Sequence, residues 1–149
     1  MAEKYWLEEE QKEEINYQHR SQSCDLFFSF LLQNGEKMKN IDSLKNSREF
    51  GAVYRNGNSK ANKYLVMYML PNDYKKIRIG ISVSKKVGNS IVRHRLARLI
   101  RESYRLHRDE LTVGYDIVVV ARNSAKDKNY QQIESAFMHL VHLHHLNIC

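Results

Sequence analysis

The centre of the chain reads IRIGISVSKKVGNSIVRHRLARLIRESYRLHRDELTVGYDIVVVA over residues 77–121. Its first seven residues alternate apolar and polar side chains, which is typical of a strand with one polar face. Its last seven residues are apolar almost throughout, which indicates a strand that is buried on both faces. A long stretch with helical spacing lies between them. The sequence therefore predicts a strand-helix-strand unit at the centre of the fold.

The helix of this unit carries six arginines between residues 90 and 108. At 3.6 residues per turn, one stripe is charged and the opposite side is apolar. The charged stripe holds His94, Arg98, Arg101, Arg105 and Arg108, and the opposite side holds Leu96, Leu99, Ile100, Ser103 and Leu106. Either Asn89 or Ser90 can cap the helix. We expect one face to pack against the sheet and the other to present charge.

Two further elements are predicted before this unit. A helix begins near residue 42, where Asp42, Ser43 and Ser47 are capping candidates, and ends at Asn56-Gly57-Asn58. A strand follows over residues 64–70 and stops at Pro71. We expect it to form a hairpin with the strand at residues 77–83.

A last helix is predicted from about Tyr130. Its apolar stripe consists of Ile133, Ala136, Phe137, Leu140, Val141 and His144. The element order is then α-β-β-α-β-α. The predicted fold class is α+β, a compact two-layer sandwich.

Charge divides the 149 residues into two parts. Residues 1–37 hold four Lys or Arg against eight Asp or Glu, and residues 38–149 hold 20 against 9. We interpret residues 1–37 as an acidic N-terminal extension and residues 38–149 as the domain, because such asymmetry marks separate pieces. One hypothesis is that Met38 is the natural initiator, since the codons of Gly35-Glu36-Lys37 can spell a purine-rich ribosome-binding sequence. The alternative is an acidic tail that shields the basic domain.

The cysteines and the apolar segments indicate the compartment. Cys24 and Cys149 form neither a disulfide framework nor a zinc-ligand spacing, which favours the reducing cytoplasm. The apolar run at residues 26–32 is far shorter than the ~20 residues that a bilayer requires. We predict no membrane span and no export signal.

Residues with catalytic chemistry are scattered. The carboxylates after Lys37 are spread over loops and helix ends, so neither a metal centre nor an activated nucleophile is predicted. Three histidines, His139, His142 and His145, recur at three-residue steps on the last helix. No Cys, Asp or Glu flanks them to complete a coordination shell, so a solvated polar face is favoured over a metal site.

The arginine segment favours binding to a polyanion, and the whole chain carries a net charge of +7. Its cations outnumber the nearby acids Glu102, Asp109 and Glu110, and the helix N-terminus adds backbone donors for phosphate. Membranes and acidic proteins remain possible partners on charge alone. Aromatic residues add a second kind of contact: both core packing and a groove that stacks single-stranded bases fit Phe50, Tyr54, Tyr64 and Tyr68.

Three segments closely resemble the protein subunit of bacterial ribonuclease P. They are SVSKKVGN at residues 82–89, RHR at residues 93–95 and RLIRE at residues 98–102. The likeness continues to DIVVVAR at residues 116–122 and covers about residues 38–146. One departure is His94, which stands where the family usually has asparagine and lacks the paired donor and acceptor of an amide.

The resemblance implies a ribonucleoprotein endonuclease that removes the 5′ leader of precursor tRNA. Its RNA subunit performs the Mg²⁺-dependent hydrolysis, and the protein is an accessory without catalytic residues or a firmly bound cofactor of its own. The implied partners are the catalytic RNA subunit and precursor tRNA, with no membrane and no obligate protein partner. The implied fold is that of ribosomal protein S5 domain 2, with a left-handed strand-helix-strand crossover.

The resemblance also assigns residues to two surfaces. The residues implied for binding the RNA subunit are Lys85, Lys86, Asn89, Arg93, His94, Arg95, Arg98 and Arg101. The residues implied for binding the single-stranded leader, in a cleft between the first helix and the sheet, are Phe50, Tyr54, Tyr64, Val66 and Tyr68. The alternatives are a general structured-RNA-binding or ribosome-associated protein, and a self-sufficient nuclease.

Overall fold

The computed structural model describes residues 41–147. The helices in this range are α1 (Ser47–Asn56), α2 (Ser90–His107) and α3 (Tyr130–Leu143). The strands are β1 (Asn58–Ala61), β2 (Leu65–Pro71), β3 (Ile77–Val83) and β4 (Tyr115–Ala121). Short 3-10 turns follow α2 at Arg108–Glu110 and β4 at Asn123–Ala125. The acidic extension, the apolar run at residues 26–32 and both cysteines lie outside the described residues.

The four strands form one sheet in the order β1-β2-β4-β3. β4 is antiparallel to β2 and parallel to β3, with Val120 opposite Val66 and Ile117 opposite Ile79. The predicted hairpin between the strands at residues 64–70 and 77–83 is therefore wrong, because β4 lies between them. β4 carries apolar side chains on both faces, so the central position removes more apolar surface from water than an edge position would.

Helices cover both faces of the sheet. α2 and α3 pack on one face around a large cluster that includes Ile100, Phe137 and Ile117. α1 packs on the other face around Val53 and Val118. The α+β class is confirmed: the sheet and the α2–α3 layer form the sandwich, and the short α1 covers the opposite face.

The start of α1 differs from the prediction. Its N-cap is Asn46, whose Oδ1 accepts a hydrogen bond from the backbone N–H of Glu49 at 3.0 Å. The Glu49 carboxylate accepts from the backbone N–H of Asn46 in return, which completes a capping box. Ser43, one of the expected caps, instead forms a parallel bridge with Ile79. The chain at Ser43 therefore pairs with the edge strand β3, and the helix begins only after Asn46.

α2 begins where the sequence indicates, since Asn89 Oδ1 accepts from the backbone N–H of Val92 at 3.0 Å. Leu106, expected on the apolar side, is 40% exposed, and Tyr104 is fully buried instead. Leu106 lies about 120° around the helix from Ile100, whereas Tyr104 lies about 40° from it. The buried face is therefore rotated relative to the one expected.

β3, α2 and β4 form the predicted strand-helix-strand unit, with β3 and β4 as parallel neighbours. The left hand of this crossover stays a prediction. Within residues 41–147 no helix is both long enough and apolar enough to cross a bilayer.

Candidate nucleic-acid interface

The exposed stripe of α2 is cationic. His94, Arg98 and Arg101 are exposed, while Leu96 and Ile100 on the other side are fully buried in the large cluster. This division follows from the helical period, because residues three or four apart share a face. The prediction that α2 packs by one face and presents charge with the other is confirmed.

Ion pairs divide the arginines of α2 into two groups. Arg105 pairs with Glu102 through two hydrogen bonds of 2.6 and 2.9 Å, so its charge is offset on the helix itself. Within residues 41–147, His94, Arg98 and Arg101 have no ion-pair partner. The uncompensated charge is therefore concentrated on the first three turns of α2.

The turn before α2 adds two more cations. Lys85 and Lys86 are exposed, and their turn is closed by hydrogen bonds to Ser84 from the backbone N–H groups of Lys86 and Val87. The side chain of Asn89 is engaged in capping α2, which gives this predicted RNA-binding residue a structural role.

Two of the predicted arginines have protein contacts. Arg93 is half-buried, and its Nε is buried without a hydrogen-bond partner in the part of the chain that the structure describes. Arg95 is exposed, but its Nη2 donates to the backbone carbonyl of Lys128 at 2.9 Å. Arg95 thus joins the N-terminal part of α2 to the loop before α3.

A second candidate surface lies on the opposite face of the sheet. The Phe50 and Tyr54 rings of α1 have centroids 6.5 Å apart, and Tyr54 meets Tyr68 of β2 edge-on at 5.0 Å. Tyr54 is 40% exposed, whereas Phe50 and Tyr68 are half-buried. These three rings form a partly open aromatic surface between α1 and the sheet.

Val66 and Tyr64 are placed differently relative to that surface. Val66 lies opposite Val120, whose side chain packs on the α1 face, so Val66 shares that face. Tyr64 precedes β2 and packs against the large cluster on the α2–α3 side. The structure brings together four of the five residues predicted to bind the leader and sets Tyr64 apart.

A chain of charged side chains that sequence reasoning missed holds α1 to the sheet. Arg78 of β3 donates to Asp116 Oδ1 and Oδ2 at 2.8 and 2.5 Å and to Glu49 Oε1 at 2.9 Å. Asp116 is only 6% exposed and lies within β4, so the expectation that the carboxylates lie on loops and helix ends is wrong for this residue. Asp116 could have been singled out as the one acid within an apolar strand.

These contacts shift two pKa values. The hydrogen bonds that Arg78 donates to Asp116, and secondarily to Glu49, raise the pKa of Arg78 above its ordinary value. The backbone N–H of Lys45 and the Arg78 guanidinium lower the pKa of Glu49. Both groups therefore stay charged at neutral pH, and the link between α1 and the sheet persists there.

His142 at the end of α3 and His144 directly after it have different surroundings. His144 is buried and lies 3.1 Å from the backbone carbonyl of Met67, and burial lowers its pKa, which favours the neutral ring as donor. His142 Nδ1 lies 2.7 Å from the backbone carbonyl of Met138. No group of three His, Cys, Asp or Glu side chains within residues 41–147 is arranged to hold a metal ion.

The comparisons with known proteins agree with this architecture. The sequence model of the family described as Ribonuclease P matches residues 38–144. The ribonuclease P protein component of Lachnoclostridium phytofermentans is 63% identical over 103 residues, which cover 69% of this chain and 89% of that one. The component from Clostridium botulinum is 50% identical over 101 residues, covering 67% and 91% of the two chains.

Solved structures of RNase P proteins superpose on this chain. The RNase P protein of Staphylococcus aureus superposes with a TM-score of 0.68 at 34% identity, covering 73% of this chain and 100% of that one. The protein from Thermotoga maritima superposes with a TM-score of 0.62 at 27% identity, covering 66% and 94%. The chain therefore belongs to the ribonuclease P protein family, the protein component of the holoenzyme that removes the 5′ leader from precursor tRNA while its RNA subunit performs catalysis.

Proposed function

We propose that the exposed stripe of α2, with the lysines before it, binds the RNA subunit of ribonuclease P. The observation that carries this proposal is the uncompensated charge of Arg98 and Arg101 on one exposed stripe, beside the exposed His94. Cations that lack a carboxylate partner release counterions when they meet RNA phosphates, and this release drives binding. Lys85 and Lys86 extend the same surface to the end of β3.

The aromatic surface on the other face of the sheet is proposed to hold the 5′ leader of precursor tRNA. Bases of a single strand stack on aromatic rings without strong sequence preference. Tyr54, which is exposed and edge-on to Tyr68, offers such a ring. The two proposed surfaces lie on opposite faces of one sheet, so the protein can hold catalytic RNA and substrate at once.

In this proposal the RNA subunit, and not the protein, holds the Mg²⁺ that hydrolysis uses. The donor set supports this division, because the carboxylates Glu49 and Asp116 are engaged by Arg78. We place the holoenzyme in the cytoplasm, in keeping with two cysteines that form no disulfide framework in the sequence.

Reconstitution of the full chain with the RNA subunit tests the function. Cleavage of precursor tRNA should require the RNA, and the protein should strengthen substrate binding and lower the Mg²⁺ concentration needed. Cutting by the protein alone would favour a self-sufficient nuclease. No effect of the protein on the RNA subunit would favour a general RNA-binding protein.

The Arg98→Ala/Arg101→Ala variant tests the α2 surface. The slope of log affinity for the RNA subunit against log salt should fall by about 0.7 to 0.9 for each phosphate that the variant no longer binds. The matched control is Arg48→Ala/Arg55→Ala, which removes the same charge from exposed positions of α1 about 140° and 160° around the helix from buried Val53. A slope that changes equally in both variants would contradict a specific contact.

A further inference from the structure

Two lysines converge on one tyrosine at the end of the sheet where β2 begins and β4 ends. Lys128 Nζ lies 5.3 Å and Lys63 Nζ 5.8 Å from the centroid of the Tyr64 ring. Both distances are within the range of a cation–π contact. We call these three residues the Lys63–Tyr64–Lys128 cluster.

The backbone under this cluster is fixed from several sides. Asn62 Oδ1 accepts from the backbone N–H groups of Tyr64 and Leu65 at 3.1 and 2.9 Å. Asn62 Nδ2 donates to the carbonyl of Ala136 in α3 at 2.7 Å, and the backbone N–H of Arg122 donates to the carbonyl of Tyr64 at 2.9 Å. The backbone at Tyr64 is therefore fixed, and its side chain packs against the large cluster on the α2–α3 side.

The cluster carries positive charge that the protein does not offset. Neither Lys63 nor Lys128 forms an ion pair with a carboxylate in the described range 41–147. A ring quadrupole orients an ammonium group but leaves its net charge unchanged. Two such cations on one ring suit a polyanion, and an RNA backbone offers a phosphate to each ammonium group.

The cluster is continuous with the arginine surface of α2. Arg95 Nη2 donates to the carbonyl of Lys128, so the loop that carries Lys128 contacts the N-terminal part of α2. Tyr64 packs on the α2–α3 side of the sheet, whereas Phe50 and Tyr68 pack on the α1 side. The cluster therefore adjoins the surface proposed for the RNA subunit and lies away from the aromatic surface proposed for the leader.

We infer that the Lys63–Tyr64–Lys128 cluster is a second contact for the RNA subunit, with the two ammonium groups binding backbone phosphates of the same RNA that meets Arg98 and Arg101. The inference rests on the proposed function of α2 and extends that surface across the end of the sheet. Lys63 is exposed and Lys128 half-exposed, so both ammonium groups can be reached by a large partner.

The test is the Lys63→Gln/Lys128→Gln variant of the full chain, titrated with the isolated RNA subunit over a series of salt concentrations. Because this variant can no longer pair with two phosphates, the slope of log affinity against log salt should fall by about 1.4 to 1.8. The matched control is Lys75→Gln/Lys76→Gln, which removes two exposed lysines from the connection between β2 and β3 at the other end of the sheet. Its slope should stay near that of the unchanged protein.

Each other outcome overturns the inference in a distinguishable way. If both lysine variants lose the same affinity for the RNA subunit, binding depends on net charge alone. An unchanged slope for the cluster variant, with a lowered slope for Arg98→Ala/Arg101→Ala, would remove the cluster and leave the α2 proposal standing, whereas unchanged slopes for both would remove the α2 proposal as well. If the cluster variant weakens only the binding of precursor tRNA to a preassembled holoenzyme, the cluster contacts the substrate and not the RNA subunit.

Discussion

Gly80 allows the Phe50 ring to approach the backbone of β3. A Cβ atom at position 80 would lie 2.7 Å from two ring carbons of Phe50, closer than such atoms come in folded proteins. The edge of the Phe50 ring therefore packs against the sheet, and its centroid lies 6.5 Å from that of Tyr54. Phe50 is half-buried, so core packing accounts for part of its surface, and the stacking of a leader base on it stays a prediction.

Replacing Phe50 by Ala should weaken binding of precursor tRNA to the holoenzyme by about 1–3 kcal/mol if a leader base stacks on the ring. Binding of mature tRNA, which has no leader, should change far less. The measurement is the pair of dissociation constants for the reconstituted holoenzyme. Val53→Ala is the control, because Val53 is fully buried in the same helix and its replacement should affect packing without selecting between the substrates. Equal weakening of both tRNAs by the Phe50 change would contradict leader stacking.

Some residues of the candidate site could be predicted from local geometry, and others could not. The helical period correctly placed Arg98 and Arg101 on the exposed side of α2, because that period depends only on local geometry. Continued strand alternation would place Tyr64 on the same face as Tyr68, but Tyr64 lies before β2, where the alternation of a strand no longer applies. The partners of Asp116 could not be predicted either, since Arg78 lies 38 residues away in the sequence.

For whole strands too, local signals could be predicted and long-range contacts could not. The bounds of β3 and β4 and the start of α3 agree with the sequence, because apolar patterns and capping residues are local signals. Strand pairing is not local: β2 and β3 are consecutive, yet each pairs with β4. β1 was not predicted, because all four of its residues are exposed and its sequence has no apolar alternation.

The contact between α2 and α3 contains a titratable pair. His107 Nε2 lies 2.9 Å from Glu134 Oε1, which also accepts from the Tyr130 hydroxyl at 3.1 Å. His107 Nδ1 lies 3.4 Å from Glu110 Oε2. The hydrogen bond with Glu134, with a smaller contribution from Glu110, raises the pKa of His107 above its ordinary 6.5. The protonated ring is therefore favoured in the folded state.

This pair should make the packing of α2 on α3 sensitive to pH. A raised folded-state pKa gives stability that is fully present below the unfolded-state value of 6.5 and is lost as pH rises through the folded-state value. The free energy of unfolding, measured by urea titration across this range, should exceed that of the His107→Gln variant by more at low pH than at high pH. Parallel pH profiles for the two proteins would contradict this role. His144, whose pKa is lowered by burial, contributes in the opposite direction and is left unchanged by the comparison.

Charge is unevenly distributed over the whole molecule. Residues 38–149 hold 20 Lys or Arg against 9 Asp or Glu, and the family match lies within this part, at residues 38–144. Residues 1–37 hold eight acidic side chains against four basic ones. Their use as a shield, and Met38 as the natural initiator, both stay predictions. A shield would have an electrostatic consequence that can be measured, because a tethered anionic segment would compete with RNA for the same cations.

A chain that begins at Met38 should bind the RNA subunit more tightly than the full chain at low salt, by roughly a few-fold, if residues 1–37 act as such a competitor. The difference should shrink as salt rises, because the Debye length falls from about 10 Å at 0.1 M to about 3 Å at 1 M. The measurement is RNA-subunit affinity over a salt series for both chains. A full-length control in which Glu8, Glu9, Glu10 and Glu13 are changed to Gln separates charge from length, and it should bind like the shorter chain. Equal affinities of the full and shortened chains at low salt would show that the acidic extension does not compete for the RNA-binding surface.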